Sequence, residues 1–367
     1  SSPGPALAPP SMALSDGGVF VVALLAFLLA LYGPGLLSGQ SSSGQAKARS
    51  NAGRERYSLD TFGVKALDPI CINSSLDSSL FLCPEPPQPL RPIVYLKTHK
   101  TGSTSVSGIV FRLTDRRNLR IMLSEAERKL GGRTFDYPNP FPGADQEPPH
   151  PDPSKRYHAI LQHAVYNGPR MRSYMRPNPF FLSIIREPGA QFLSGFNFVR
   201  NHWSEKGWDE LLEFLNDTAQ PEAGSIDAAL FLNPQAHDFG WYEHVGHTRA
   251  FDRDTTRIRA WLETLRGDFV DHGLVILLEH YHEGVVLLRR RLNLTMHELL
   301  GGKLRAATYA YRNKSEETLA QARTVLPVDL ELYAHFNRSF WRQWAAEDGP
   351  ELQAELQAFR ALDAEVK

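Results

Sequence analysis

The sequence predicts an α/β protein: a mostly parallel sheet with helices on both faces, preceded by a single N-terminal membrane-spanning helix and a stem. Three observations predict it. Short, continuously apolar runs recur between helical stretches, the pattern of strands buried on both faces. The chain has 367 residues, 42% of them hydrophobic, enough for one large domain. A charge-free apolar segment stands near the N-terminus.

Residues 1–16 form a short tail. Residues 17–37, GGVFVVALLAFLLALYGPGLL, carry no charge. About 20 such residues in a helix span a bilayer core, so this segment is expected to be a signal-anchor, either retained or cleaved. Lys47, Arg49, Arg54 and Arg56 follow it and no Lys or Arg precedes it. That charge bias alone does not place the C-terminal bulk in the lumen. The sequons at Asn73, Asn216, Asn293, Asn313 and Asn337 do favour a luminal domain, because N-x-S/T is glycosylated only on that side. Residues 38–90 begin rich in Ser, Gly and Gln and end rich in Pro, and read as a stem. Cys71 and Cys83 lie in it; they close a small disulfide loop or stand as two free thiols.

Residues 91–367 carry the domain. Strands are expected at Ile93–Leu96, His158–Leu161, Phe180–Ile185 and Leu274–Leu278, with helices over about 103–113, 190–201 and 284–292. The proline-rich stretch 136–153 reads as a surface loop. Arg289, Arg290 and Arg291 read as a solvated helix face. A net charge of −1 excludes the basic footprint of a nucleic-acid binder, so any anion site is local.

The stretch Leu96-Lys97-Thr98-His99-Lys100-Thr101-Gly102-Ser103-Thr104 has the layout strand, polar loop, helix start. Unpaired N–H groups and the positive dipole end make a helix start an anion site. Gly102 permits close approach, Ser103 and Thr104 are caps or phosphate donors, and Lys100 supplies a cation. Both lysines precede Gly102, so this is not a Walker A loop, which disfavours an ATPase or a kinase. A second anion grip is Arg186-Glu187-Pro188 at a strand end, with Ser194 on the helix that follows.

LKTHKTGST resembles the 5′-phosphosulfate loop of the galactose-3-O-sulfotransferase family, the cerebroside sulfotransferase-like carbohydrate sulfotransferases of the Golgi. FLSIIREP, with Ser194, is similar to that family's 3′-phosphate segment. NPQAHDFG from Asn233, LLEHYHEGVVLLRR from Leu277 and YAHFNRSFW from Tyr333 resemble further family blocks, so the likeness runs over about residues 92–345. These late blocks read as core and sheet-edge packing rather than catalysis.

The resemblance implies a P-loop-type sheet and 3′-phosphoadenosine-5′-phosphosulfate as cosubstrate. It implies Lys97, Lys100, Thr101, Gly102, Ser103, Thr104, Arg186 and Ser194 as donor-binding residues. Lys100 would steady charge on the leaving oxygen, and the acceptor would be the 3-hydroxyl of a terminal β-galactose on a glycolipid or glycoprotein glycan. It leaves open whether the enzyme is a homodimer. Location in the Golgi membrane is expected, single-pass type II, with the catalytic domain luminal.

Transfer to an alcohol needs a base near neutrality. His163, just past the second strand and between the two anion segments, is the first choice. His99, inside the loop, either acts in the chemistry or shapes the loop. His244, His247, His280 and His282 lack the spacing of a metal site, and the reaction needs no metal. Trp203, Trp208, Trp241 and Tyr242 either stack on the sugar or belong to the core. Two rival readings are a uronyl, glycosaminoglycan 2-O-sulfotransferase and a non-catalytic Golgi glycan-binding relic. Transfer to a defined acceptor separates them.

Overall fold

A computed structural model of the chain describes residues 89–123, 141–142, 148–203, 231–246, 253–300 and 316–365. The expected anchor at 17–37, Cys71, Cys83, Trp208, His247, Asn73, Asn216 and Asn313 lie outside the described residues.

Four strands form one sheet, β1 (Ile93–Leu96), β2 (Ala159–Ile160), β3 (Phe180–Ile185) and β4 (Gly273–Leu277), in the order β2-β1-β3-β4. Every pairing is parallel. Every strand residue is buried, which is why the runs are apolar throughout rather than alternating. The register sets Tyr95 beside Leu182, Leu182 beside Leu274 and Ile184 beside Ile276. Side chains at paired positions share a face, and the next residue along faces the other way.

On the Tyr95–Ile276 face lie α1 (Ser103–Arg116) and the helix that follows β4. The Tyr95 hydroxyl donates to the Ser103 carbonyl at 2.8 Å. A methyl at Gly284 would sit 2.5 Å from Ile276, so the second helix packs directly on the sheet. On the opposite face Phe181 packs edge-on against Tyr166 and Phe269, and Phe269 against Phe336 of the long helix near the C-terminus. Helices and turns therefore cover both faces.

Two strands differ from expectation in their ends. The second strand is only two residues long, because after Ile160 the chain leaves the sheet and carries His163 back to the Lys97 carbonyl. The fourth begins at Gly273 and ends one residue early, where Leu278–His280 forms a 3-10 turn into the next helix.

The remaining helices, in order, are α2 (Gly168–Tyr174), α3 (Pro188–Trp203), α4 (Pro234–Asp238), α5 (Trp241–Val245), α6 (Thr255–Arg266), α7 (Tyr281–Leu292), α8 (Met296–Leu299), α9 (Glu316–Thr324), α10 (Pro327–Glu347) and α11 (Pro350–Glu365). A π-helical turn, Gly267–Asp271, joins α6 to β4. The start of α3 is set by Glu187, whose carboxylate accepts from the N–H groups of Gly189 and Ala190 at 3.1 and 2.8 Å. Pro188 stands in the first turn, where no donor is needed. Burial pushes the Glu187 carboxyl up, but bonds from Arg323 and these N–H groups outweigh it and hold it below the usual range.

Arg289 and Arg290 do not form a solvated face. Both pair with Glu355 of α11, and Arg291 pairs with Glu347 of α10. Trp241 and Tyr242 are core residues, 0% and 1% exposed, with Trp241 edge-on to Trp261 at 5.1 Å, so neither can stack on a sugar. The block from Tyr333 forms the middle of α10, with Phe336 and Phe340 buried and Trp341 37% exposed. His280 packs on Trp341, and His282 pairs with Asp363 at 2.9 Å. Among the described residues no helix is long and apolar enough to cross a membrane. Among the same residues no group of three His, Cys, Asp or Glu side chains could hold a metal ion.

Candidate functional site

The polar loop leaves the carboxyl end of β1 and turns into α1, the location where parallel α/β sheets open their sites. Its path is fixed from inside. Thr98 donates its hydroxyl proton to the Ile184 carbonyl of β3, so Thr101 donates to Thr98, oxygen to oxygen at 2.7 Å. Ser103 donates to the Thr98 carbonyl at 2.6 Å. Lys100 and Gly102 both take left-handed backbone angles, φ 59° and 74°. At Gly102 the left-handed φ favours glycine, and a Cβ there would lie 2.6 Å from the Leu278 side chain, which would have to shift.

This wiring corrects one expectation. Thr101 and Ser103 are buried and their hydroxyl protons point into the loop, and α1 has no side-chain cap. What these two residues can offer an anion is backbone N–H. Gly102 is exposed and Thr104 partly so.

His99 and His163 stack, ring centroids 3.9 Å apart and planes 21° from parallel. Nδ1 of His163 lies 2.9 Å from the Lys97 carbonyl. A carbonyl only accepts, so Nδ1 carries the proton and Nε2 keeps its lone pair. Nδ1 of His99 lies 3.0 Å from Oδ1 of the fully buried Asp238, and the His99 N–H donates to Oδ2 at 2.8 Å. Each histidine is thus oriented through Nδ1.

The second anion segment comes to the same place. The Arg186 guanidinium reaches the Lys100 carbonyl at 3.5 Å. The Lys100 ammonium lies 4.0 Å over the ring of Phe198 on α3. Gln191, on the same helix, donates to the His99 carbonyl at 3.0 Å. Ser194, 3% exposed, follows Gln191 by one helical turn and so shares its face. The structure therefore gathers Lys97, His99, Lys100, His163, Arg186 and Ser194 around one loop.

Sequence reasoning missed three residues here. Asp238 orients His99, Gln191 fixes its carbonyl, and Gln235 brackets the Arg186 backbone, accepting its N–H at 2.8 Å and donating to its carbonyl at 2.9 Å. Gln235 and Asp238 both lie in the NPQAHDFG block, which reads from the sequence as packing. Behind them Asp329 is fully buried. Burial pushes its carboxyl up to about 7 and Asp238 adds to the rise, against the N–H groups of Ala236 and Gln235 that favour its charge.

The family described as galactose-3-O-sulfotransferase matches residues 63–367. Human galactose-3-O-sulfotransferase 2 is 30% identical over 295 residues, 79% of this chain and 71% of that protein. Bovine galactosylceramide sulfotransferase is 28% identical over 286 residues, 76% of this chain and 64% of that protein. Mouse galactose-3-O-sulfotransferase 3 is 31% identical over 262 residues, 69% of this chain and 57% of that protein. The chain's matches thus span between 57% and 71% of the length of these relatives.

Proposed function

The chain belongs to the galactose-3-O-sulfotransferase family, and we propose that it moves the sulfuryl group of 3′-phosphoadenosine-5′-phosphosulfate onto the 3-hydroxyl of a terminal β-galactose. The acceptor class is a glycolipid or glycoprotein glycan, the range spanned by the names of its relatives. One observation supports the reading above the others: the guanidinium of Arg186 lies 3.5 Å from the carbonyl of Lys100, which brings the two proposed anion grips to one loop.

The residues divide the work by their chemistry. The N–H groups of the loop and α1, with Lys100, hold the 5′-phosphosulfate. Arg186 grips the 3′-phosphate with its planar fork, and Ser194 adds a hydroxyl. Nε2 of His163 takes the proton of the sugar hydroxyl as its oxygen attacks sulfur in line. The bond from sulfur to the bridging oxygen breaks, and Lys100 stabilises the negative charge that this oxygen gains. The products are the sulfated galactoside and 3′,5′-bisphosphoadenosine, and the proton leaves on His163. Location in the Golgi membrane, with residues 17–37 as anchor and the domain luminal, is part of the same proposal. The exposed sequon Asn293 supports it.

The test is transfer of radiolabelled sulfate from the donor to a panel of galactosides and glycosaminoglycans. Label on a 3-hydroxyl of galactose is the expected result. Label only on uronic acids, or on no acceptor with the protein folded, overturns it.

A further inference from the structure

Two grips on one nucleotide need a fixed separation, and a single turn of helix holds both. Gln235 and Asp238 are fully buried and three residues apart on α4, so they project from one face. Gln235 closes two bonds on the main chain of Arg186 where β3 hands over to α3. Asp238 closes two on His99, one to the main chain and one to the ring. The turn is itself anchored from behind. Asp329 accepts from the N–H groups of Gln235 and Ala236, at 3.3 and 2.6 Å. In return Asn233 accepts from the N–H groups of Val328 and Asp329, at 2.9 and 3.0 Å. Two helix starts thus cap each other, and α10 is tied to the core through Phe336.

We propose that α4 is a positioning bridge for the donor: Gln235 sets Arg186 for the 3′-phosphate, and Asp238 sets His99 and the 5′-phosphosulfate loop. The inference rests on the donor reading above and adds how the two grips keep their spacing. A preset spacing removes the ordering cost that binding would otherwise carry. The two arms are separable. Loosening Gln235 acts on recognition of the 3′-phosphate, and loosening Asp238 acts on turnover.

The experiment measures calorimetric affinity of the folded protein for 3′,5′-bisphosphoadenosine and for 5′-AMP, which lacks the 3′-phosphate, together with steady-state transfer. In Gln235→Met the preference for the bisphosphate falls about tenfold while 5′-AMP binding is kept, the size expected for a misplaced charged hydrogen bond. Gln235→Glu keeps the volume and one of the two bonds, and gives a smaller fall if the methionine variant does not fold. Asp238→Asn keeps the nucleotide preference and lowers kcat by about tenfold or more at saturating donor. Equal losses for both nucleotides in the Gln235 variants mean a merely structural role and overturn the bridge, as does a preference retained in full. A wild-type protein that binds the two nucleotides equally removes the donor reading, and the bridge falls with it.

Discussion

Replacing His163 by alanine tests the chemistry most directly. The side chain is half-buried, its Nδ1 hydrogen-bonds to the Lys97 carbonyl, and its ring stacks on His99. Losing that bond costs about 0.5–1.5 kcal/mol of stability, and water can take its place at a partly exposed position, so the fold survives. Losing the base is far larger. A positioned general base contributes roughly 10²- to 10⁴-fold, about 3–5 kcal/mol of barrier, so kcat should fall by that factor. Binding of 3′,5′-bisphosphoadenosine should stay within about twofold, since the anion grips are untouched. The assay is label transfer under saturating donor and acceptor across pH 5–9, with calorimetry on the same sample. In the wild type the acid limb of kcat reports the base. In the variant that limb should vanish. Turnover near the wild-type rate, or an unchanged acid limb, refutes the assignment. Should the limb vanish instead in His99→Ala, the base is the histidine held by Asp238.

Lys100→Ala should abolish measurable transfer, read in the same label assay, because no other residue is proposed to neutralise the leaving oxygen. Arg186→Lys keeps the charge and loses the fork, and should weaken 3′,5′-bisphosphoadenosine about tenfold or more without affecting 5′-AMP, by calorimetry. Gly102→Ala meets a left-handed φ of 74° and Leu278 at 2.6 Å, and should lower stability by about 1–2 kcal/mol in denaturant melts. Asp329 has a folded-state pKa raised from 3.8 to about 7, so its protonated form is the one folding favours. Its contribution is therefore full below about pH 4 and is lost as pH rises toward 7, and Asp329→Asn should flatten that slope in thermal melts.

The sheet was legible because its signal is local. Ile93–Leu96 and Phe180–Ile185 are buried on both faces and stand out as unbroken apolar runs with the observed ends. The second strand was over-extended, since nothing local reveals that the chain must turn away to bring His163 to Lys97. The strand–loop–helix layout over Leu96–Thr104 was readable for the same reason as the strands: its residues are contiguous. Gln235 and Asp238 were not. They act on main-chain atoms and a ring far off in sequence, and a buried glutamine in a short helix carries no spacing that announces a partner. Arg289 and Arg290 were misread because Glu355 arrives from a later helix.

The direction in which the loop's hydroxyls point bears on how such a site works without a Walker lysine. Thr98, Thr101 and Ser103 commit their protons to β3 and to the loop itself. On the proposed function, recognition of the donor is then left to main-chain amides and to cations. An amide is only as well aimed as the backbone that carries it, so the loop must be rigid before the ligand arrives. Tyr95 ties it to β1, the Thr98 bond to Ile184 ties it to β3, Gln191 ties it to α3 and Asp238 ties it to α4. A loop held from four elements keeps its shape with few charges of its own. On the proposed function, that is how a chain with a net charge of −1 carries a site for a strongly anionic nucleotide.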